Sequence, residues 1–160
     1  MSEKQDSKSF AVVLVRGQMS ARSKVRETLV LLGFTRKNHC AVFPANETFN
    51  GMLNLCKDYI TWGTISAPAV EQLLSKRGEI ADGKKLSDDY VSKNSKFKSI
   101  KELAAAIAEG KARVGDVKGA RPVFRLSPPR SGFGQIKRPF PKGSIGFRKD
   151  GMDELVLRMV

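Results

Sequence analysis

The sequence predicts an α+β fold: a β-α-β-α-β core over residues 1–65, then a helical region and a basic Pro/Gly-rich C-terminal extension over residues 66–160. Three observations carry this. Short β-branched runs alternate with helix-period segments through the first part, a pattern that builds one sheet with both helices packed on one face. The stretch that follows exchanges those runs for helix caps and charged loops. The last third is crowded with proline, glycine and basic side chains, interleaved with Phe133, Phe140 and Phe147.

The first strand is the apolar run Phe10–Val15, closed by Arg16 and Gly17. Ser20 to Leu32 carries Val25, Leu29 and Leu32 at helical spacing, and Gly33 is its stop signal. Asn38 to Phe43 returns to strand character before Pro44. Asn46 is a candidate N-cap with Glu47 in the first turn, and Phe49, Met52, Leu53 and Cys56 follow on one helix face. Tyr59–Ile65 is β-rich and closes the core. Beyond it, Ser66 caps a helix through Leu74 with Pro68 near its start, Lys76–Lys85 is a charged loop, and Ser87–Lys93 forms a short helix. Ser99-Ile-Lys-Glu102 is a capping box ahead of the apolar run Leu103–Ala108, which Gly110 ends. Pro122–Leu126 and Asp153–Val160 are predicted strands, the second from its alternating pattern.

Twenty-nine lysines and arginines against sixteen acids give the 160-residue chain a formal charge of +13 and a pI near 10.0. A surplus of this size favours a polyanion, because each phosphate neutralised releases condensed counterions. The excess is uneven. Between Lys111 and Asp150 the bases face only Asp116 and Asp150, and Arg121, Arg125, Arg130, Lys137, Arg138, Lys142 and Arg148 are candidate phosphate contacts. Arg16, Arg22, Lys24, Arg26, Arg36 and Lys37 form a second cluster near the front. An arm of this composition suits an irregular RNA surface, with guanidinium groups on phosphates and phenylalanines packed under the arm or stacked on bases. Its repelling charges and few internal hydrogen bonds lead us to expect a loosely ordered arm until RNA fixes it.

Other chemistry finds little support. The single histidine, His39, has no partner at metal-ligand spacing, and beside Cys40 it reads as a strand entry. Cys40 and Cys56 read as reduced, buried small hydrophobes. Gly132-Phe-Gly134 lacks the third glycine of a dinucleotide fingerprint, there is no phosphate loop, and Asp88-Asp89 reads as a solvated helix start. We therefore expect no enzyme, cofactor, metal or small-molecule substrate. The polar start over residues 1–9 has no signal-peptide core, and no apolar run approaches the ~20 residues of a membrane span, so a cytoplasmic protein is expected. The familiar single-strand RNA-reading pattern and a Gly-x-x-Gly clamp are both missing.

The core then becomes specific. Leu14-Val-Arg16, Lys24-x-Arg26-x-Thr28-Leu29, Leu32-Gly33-Phe34, Asn38-His39 and Gly51-Met52 resemble, in order and spacing, the large-subunit ribosomal protein of the L-thirty family, whose eukaryotic relative is L-seven. Arg121–Phe133 and Gly143–Gly146 look like the extension of the archaeal and eukaryotic branch. The missing basic N-terminal helix favours the archaeal form. The resemblance implies a three-stranded antiparallel sheet, ferredoxin-like in appearance, with two helices on one face. It also implies a structural role in the large subunit, contact with large-subunit rRNA near the 5S rRNA, and neighbouring ribosomal proteins. Arg16, Lys24, Arg26 and Asn38 fall at the family's RNA-facing strand–helix loops. One departure is the loop Gly17-Gln-Met-Ser-Ala21, where bacterial members usually carry Gly and often Pro. The alternative is a free RNA-binding or RNA-chaperone protein, which would not sediment with large subunits.

Overall fold

The computed structural model describes residues 9–160, so the polar start over residues 1–8 lies outside them. The elements run β1 (Ser9–Leu14), α1 (Ser23–Leu31), β2 (His39–Pro44), α2 (Glu47–Leu55), β3 (Ile60–Thr64), α3 (Ala67–Arg77), α4 (Asp88–Asn94), α5 (Ile100–Ala108), β4 (Val123–Arg125), β5 (Gly146–Arg148) and α6 (Met152–Met159). They form an α+β fold around one mixed sheet in the order β4-β2-β1-β3-β5. The pairs β1–β2, β1–β3 and β2–β4 are antiparallel, and β3–β5 is parallel. The sheet thus has two more strands than the resemblance implies, one added at each edge by the last third of the chain.

The alternation of β1 divides the molecule into layers. Val12 and Leu14 point to one face, where they pack with Leu29, Leu32 and Phe34 from α1 and its exit, and with Leu53 and Cys56 from α2. Ala11 and Val13 point to the other and join Val70, Leu73 and Leu74 of α3, Leu103 and Ile107 of α5, and Leu155 and Val156 of α6. Because β1 is buried on both faces, it reads as a continuous apolar run rather than an alternating one.

Local chemistry explains most boundaries. Pro68 stands at the first turn of α3, where its missing N–H costs nothing. The Ser99 hydroxyl accepts the Glu102 N–H at 3.3 Å and the Glu102 carboxylate accepts the Lys98 N–H at 3.0 Å, so the predicted cap of α5 is present with its return bond one residue earlier. Gly63 lets β5 close on β3: a Cβ there would run into the carbonyl of Arg148.

One element differs in kind from its prediction. Asp153–Val160 is not a strand; Asp153–Met159 lies in α6, whose first turn holds Asp153 and Glu154, with Val160 as its C-cap. Met152, Leu155, Val156 and Met159 are buried at helical spacing, while Leu157 is exposed. The apparent alternation of Leu155, Leu157 and Met159 is incidental to that face. Asp153 also accepts the Ser66 N–H at 3.0 Å, tying α6 to the start of α3. The Pro/Gly-rich stretch is likewise more bonded than its composition suggests. Phe140 N–H donates to Ile145 O at 2.9 Å, Gly143 N–H to Pro139 O at 2.8 Å, and Ser144 N–H to Gln135 O at 3.1 Å.

Candidate nucleic-acid interface

The register brings several basic loops to one end of the sheet. β1 ends at Leu14, opposite Ile60, and the carbonyl of Leu14 accepts the Asn38 N–H at 2.9 Å. His39 pairs with Arg125, and β5 begins beside Thr61. The turns carrying Arg16, Arg36 and Lys37, and the whole loop from Leu126 to Ile145, therefore leave from this Leu14 end. Like charges gather here, and among the described residues none of Arg16, Arg36 or Lys37 is within 4.0 Å of a carboxylate, an arrangement that costs stability unless an anion is bound.

Each side chain has a local reason for its place. Arg16 is half-buried, donating through Nη1 to the Asp58 carbonyl at 3.1 Å with its guanidinium 5.0 Å from the Tyr59 ring centroid. Gln18 closes the departing loop by donating to the Thr35 carbonyl at 2.9 Å, and a Cβ at Gly17 would come within 3.2 Å of Lys37 Cε. Asn38 has φ 64°, a left-handed turn that asparagine tolerates better than most residues, and this reversal leaves Arg36 and Lys37 exposed at the rim. Arg22, Lys24 and Arg26 are exposed at the start of α1, which has Arg22 at its N-cap and no acid in its first turn. Their charge adds to the positive end of the helix dipole instead of offsetting it.

Thr35, Arg36, Lys37, His39, Arg125 and Leu126 line a cleft of about 480 Å³ at this end. His39 is buried in its wall, and its Nδ1 has no hydrogen-bond partner among the described residues. Burial lowers its pKa from the ordinary 6.5, and the charges of Arg125 and Arg36 lower it further, so the ring is neutral at pH 7. It is the residue that sequence reasoning missed. Its neighbour Arg125 reaches it only through the β2–β4 pairing, which no local pattern signals. Burial pushes the Cys40 thiol up to about 12 and that of Cys56 to about 11, so both are packing groups.

The residues now have context among known proteins. The family model described as Ribosomal protein L30p/L7e matches residues 10–60. A protein named large ribosomal subunit protein uL30 from Methanocella arvoryzae is 42% identical over 151 residues, covering 94% of this chain and 99% of the relative. The chain belongs to the L30p/L7e family. Proteins of the same name from Archaeoglobus fulgidus and Nanoarchaeum equitans are 39% and 40% identical, each over 94% of this chain and 99% and 98% of their own lengths. The shared region therefore extends through residues 66–160 in archaeal L30p/L7e members, well past the span that the family model matches.

Not every candidate contact in this L30p/L7e chain reaches the interface. Arg130, Lys137, Arg138 and Lys142 are exposed on the Leu126–Ile145 loop. Arg121 lies toward the other end of β4, half-exposed, 3.5 Å from the Glu79 carboxylate and donating to the Ala81 carbonyl at 3.3 Å. Arg148, a candidate phosphate contact in the sequence, is buried. Its Nε donates to Thr61 Oγ1 at 3.0 Å and its guanidinium sits 4.8 Å from the Phe140 ring centroid, so it fastens β5 and the arm to β3. Phe133 packs against the larger core, whereas Phe147 is half-exposed, edge-on to Phe10. No helix among the described residues is long and apolar enough to cross a membrane.

Proposed function

We propose that this L30p/L7e protein is a structural constituent of the large ribosomal subunit, holding large-subunit rRNA by phosphate contacts from the Leu14 end of its sheet. The observation that carries the reading is near full-length similarity to proteins named for that subunit. The gathering of unneutralised bases at one end supports it. Arg22, Lys24 and Arg26 meet phosphates at the positive end of α1. Arg36, Lys37 and Arg125 surround a cleft that takes a phosphate, Arg16 stands on the neighbouring turn, and Asn38 shapes that rim. Arg130, Lys137, Arg138 and Lys142 extend the contact along the arm, and Arg121 joins it only where RNA displaces Glu79. The protein works in the cytoplasm within the subunit, near the 5S rRNA and against neighbouring ribosomal proteins. It takes no catalytic step and needs no cofactor.

Native protein should sediment with large subunits at moderate salt, and recovery in the free pool would overturn the reading. Binding to large-subunit rRNA should also depend steeply on salt. If roughly six to ten phosphates are neutralised, affinity falls by about three to five orders of magnitude between about 50 and 200 mM salt on the duplex calibration. A flat dependence would remove the phosphate contacts.

A further inference from the structure

A second basic site lies at the opposite end of the sheet. Ser9 begins β1 and pairs with Pro44, and its hydroxyl donates to the Ile107 carbonyl in the last turn of α5. The chain that leaves α5 there forms, with the end of α4, a cleft of about 640 Å³ lined by Lys93, Lys96, Phe97, Lys111 and Lys118. Its walls are built rather than incidental. Tyr90 Oη donates to the Lys118 carbonyl at 2.9 Å, and the Lys118 N–H donates to Asn94 O at 3.3 Å. Ser95 Oγ accepts the Phe97 N–H at 3.2 Å and donates to Val91 O at 2.7 Å, which fixes the turn that presents Phe97. Two acids reduce the charge without cancelling it. Asp116 lines the cleft and accepts the Arg113 N–H at 2.8 Å, and Glu109 pairs with Lys111 at 2.7 Å with both side chains exposed, so Lys93, Lys96 and Lys118 remain in excess.

We infer that this cleft binds a second stretch of RNA, so that the protein bridges two RNA segments across the length of its sheet. The inference rests on the ribosomal reading and adds a partner surface to it. Lysines are suited to phosphates as mobile point charges, and a phenylalanine edge among them offers a stacking surface for an unpaired base. β1 alone separates the two ends by about 17 Å at ~3.3 Å per residue. Between them on the α1 side the surface is mainly apolar, carrying Leu31, Phe43, Phe49 and Pro122, with Arg113 over the Phe49 ring as the cation in that lining. An acidic protein partner also fits the charge, and the crosslinked species distinguishes it from RNA.

Ultraviolet crosslinking in native large subunits tests this directly. Peptides bearing Arg36-Lys37 and Lys93–Phe97 should both carry RNA adducts, mapping to separate rRNA segments. Adducts of the first peptide alone, both peptides on one continuous segment, or Lys93–Phe97 linked to a protein would each overturn the bridge and leave the ribosomal reading standing. Absence of RNA on both would overturn that reading too. The Lys93→Ala, Lys96→Ala, Lys118→Ala variant changes only exposed side chains. With purified large-subunit rRNA it should reduce the log–log salt slope by about two to three, at roughly 0.7–0.9 for each phosphate no longer neutralised. An unchanged slope would overturn the inference.

Discussion

The two faces of the sheet are covered by different kinds of chain. On one, α1 and α2 bring Leu29, Leu32, Leu53 and Cys56 onto Val12 and Leu14, all from within residues 12–62. On the other, the cover comes from α3, α5 and α6, with residues as far apart as Ala11 and Met159 in one cluster. The helices also start differently. Ser87 and Ser99 cap α4 and α5 with side-chain hydrogen bonds, and α4, α5 and α6 all hold acids in the first turn. α1 has Arg22 at its cap, no cap bond and no acid. α3 shares the missing cap bond and first-turn acid, although Asp153 accepts the Ser66 N–H beside it, whereas α1 sets Arg22 and Lys24 at its positive end, where an anion is wanted.

The largest expected effect lies on the distal face. Leu155 is 1% exposed and Leu157 is 43% exposed. Leu155→Ala should lose about 2–5 kcal/mol of unfolding free energy for a fully buried leucine. Leu157→Ala should stay within about 0.5 kcal/mol. Urea unfolding of the two variants separates helix from strand, since residues two apart share a face only in a strand. Equal losses would break the contrast between the faces, because α6 would no longer be the helix that completes one of them.

That same contrast decides what was legible in the sequence. The α1/α2 face was readable because strand, helix and stop signals such as Gly33 act within a few residues. β4 and β5 are three residues each and exist through pairing with β2 and β3, as in Thr61 with Gly146. β4 was still legible as the predicted strand Pro122–Leu126, whereas β5 has too little sequence to show a period. α6 was misread because Leu155, Leu157 and Met159 alternate, although Met152, Leu155, Val156 and Met159 already marked a helical face. The interface was legible as charge but not as geometry. Arg148 and Arg130 look alike in sequence, and only the β3–β5 pairing buries the former.

The start of α1 offers a smaller and opposed pair of effects. Arg22 has extended backbone at the N-cap, φ −60° and ψ 149°, and its side chain makes no cap bond. Arg22→Asp supplies the missing acceptor and reverses the charge at the helix terminus. Stability should rise by about 0.5–2 kcal/mol. The rRNA salt slope should fall by about one. Ser99→Ala, at the cap of α5, should instead cost about 1 kcal/mol and leave that slope unchanged. A variant at Arg22 that loses stability, or keeps full rRNA affinity, would mean that α1 is capped by its tertiary setting rather than held open for an anion.

The smallest effect concerns His39, which shares the α1/α2 side of the sheet with Ala41 and faces Arg36, Lys37 and Arg125. Its folded pKa lies below the ordinary 6.5, first because it is buried and then because Arg125 and Arg36 repel a proton. As pH falls through 6.5, the unfolded chain therefore binds a proton that the folded chain refuses, so stability declines with acidification until the folded pKa is passed. The free protein should lose more stability below pH 6.5 than its His39→Gln variant, measured by unfolding at matched salt. RNA reverses the sign: a phosphate in the cleft neutralises the two arginines and favours the imidazolium, so binding takes up a proton. Wild-type affinity for rRNA should then rise on acidification through the same window, and His39→Gln should remove that rise. Parallel pH profiles for the two proteins, with and without RNA, would place the phosphate elsewhere on the rim and leave the histidine as packing for the face it lies on.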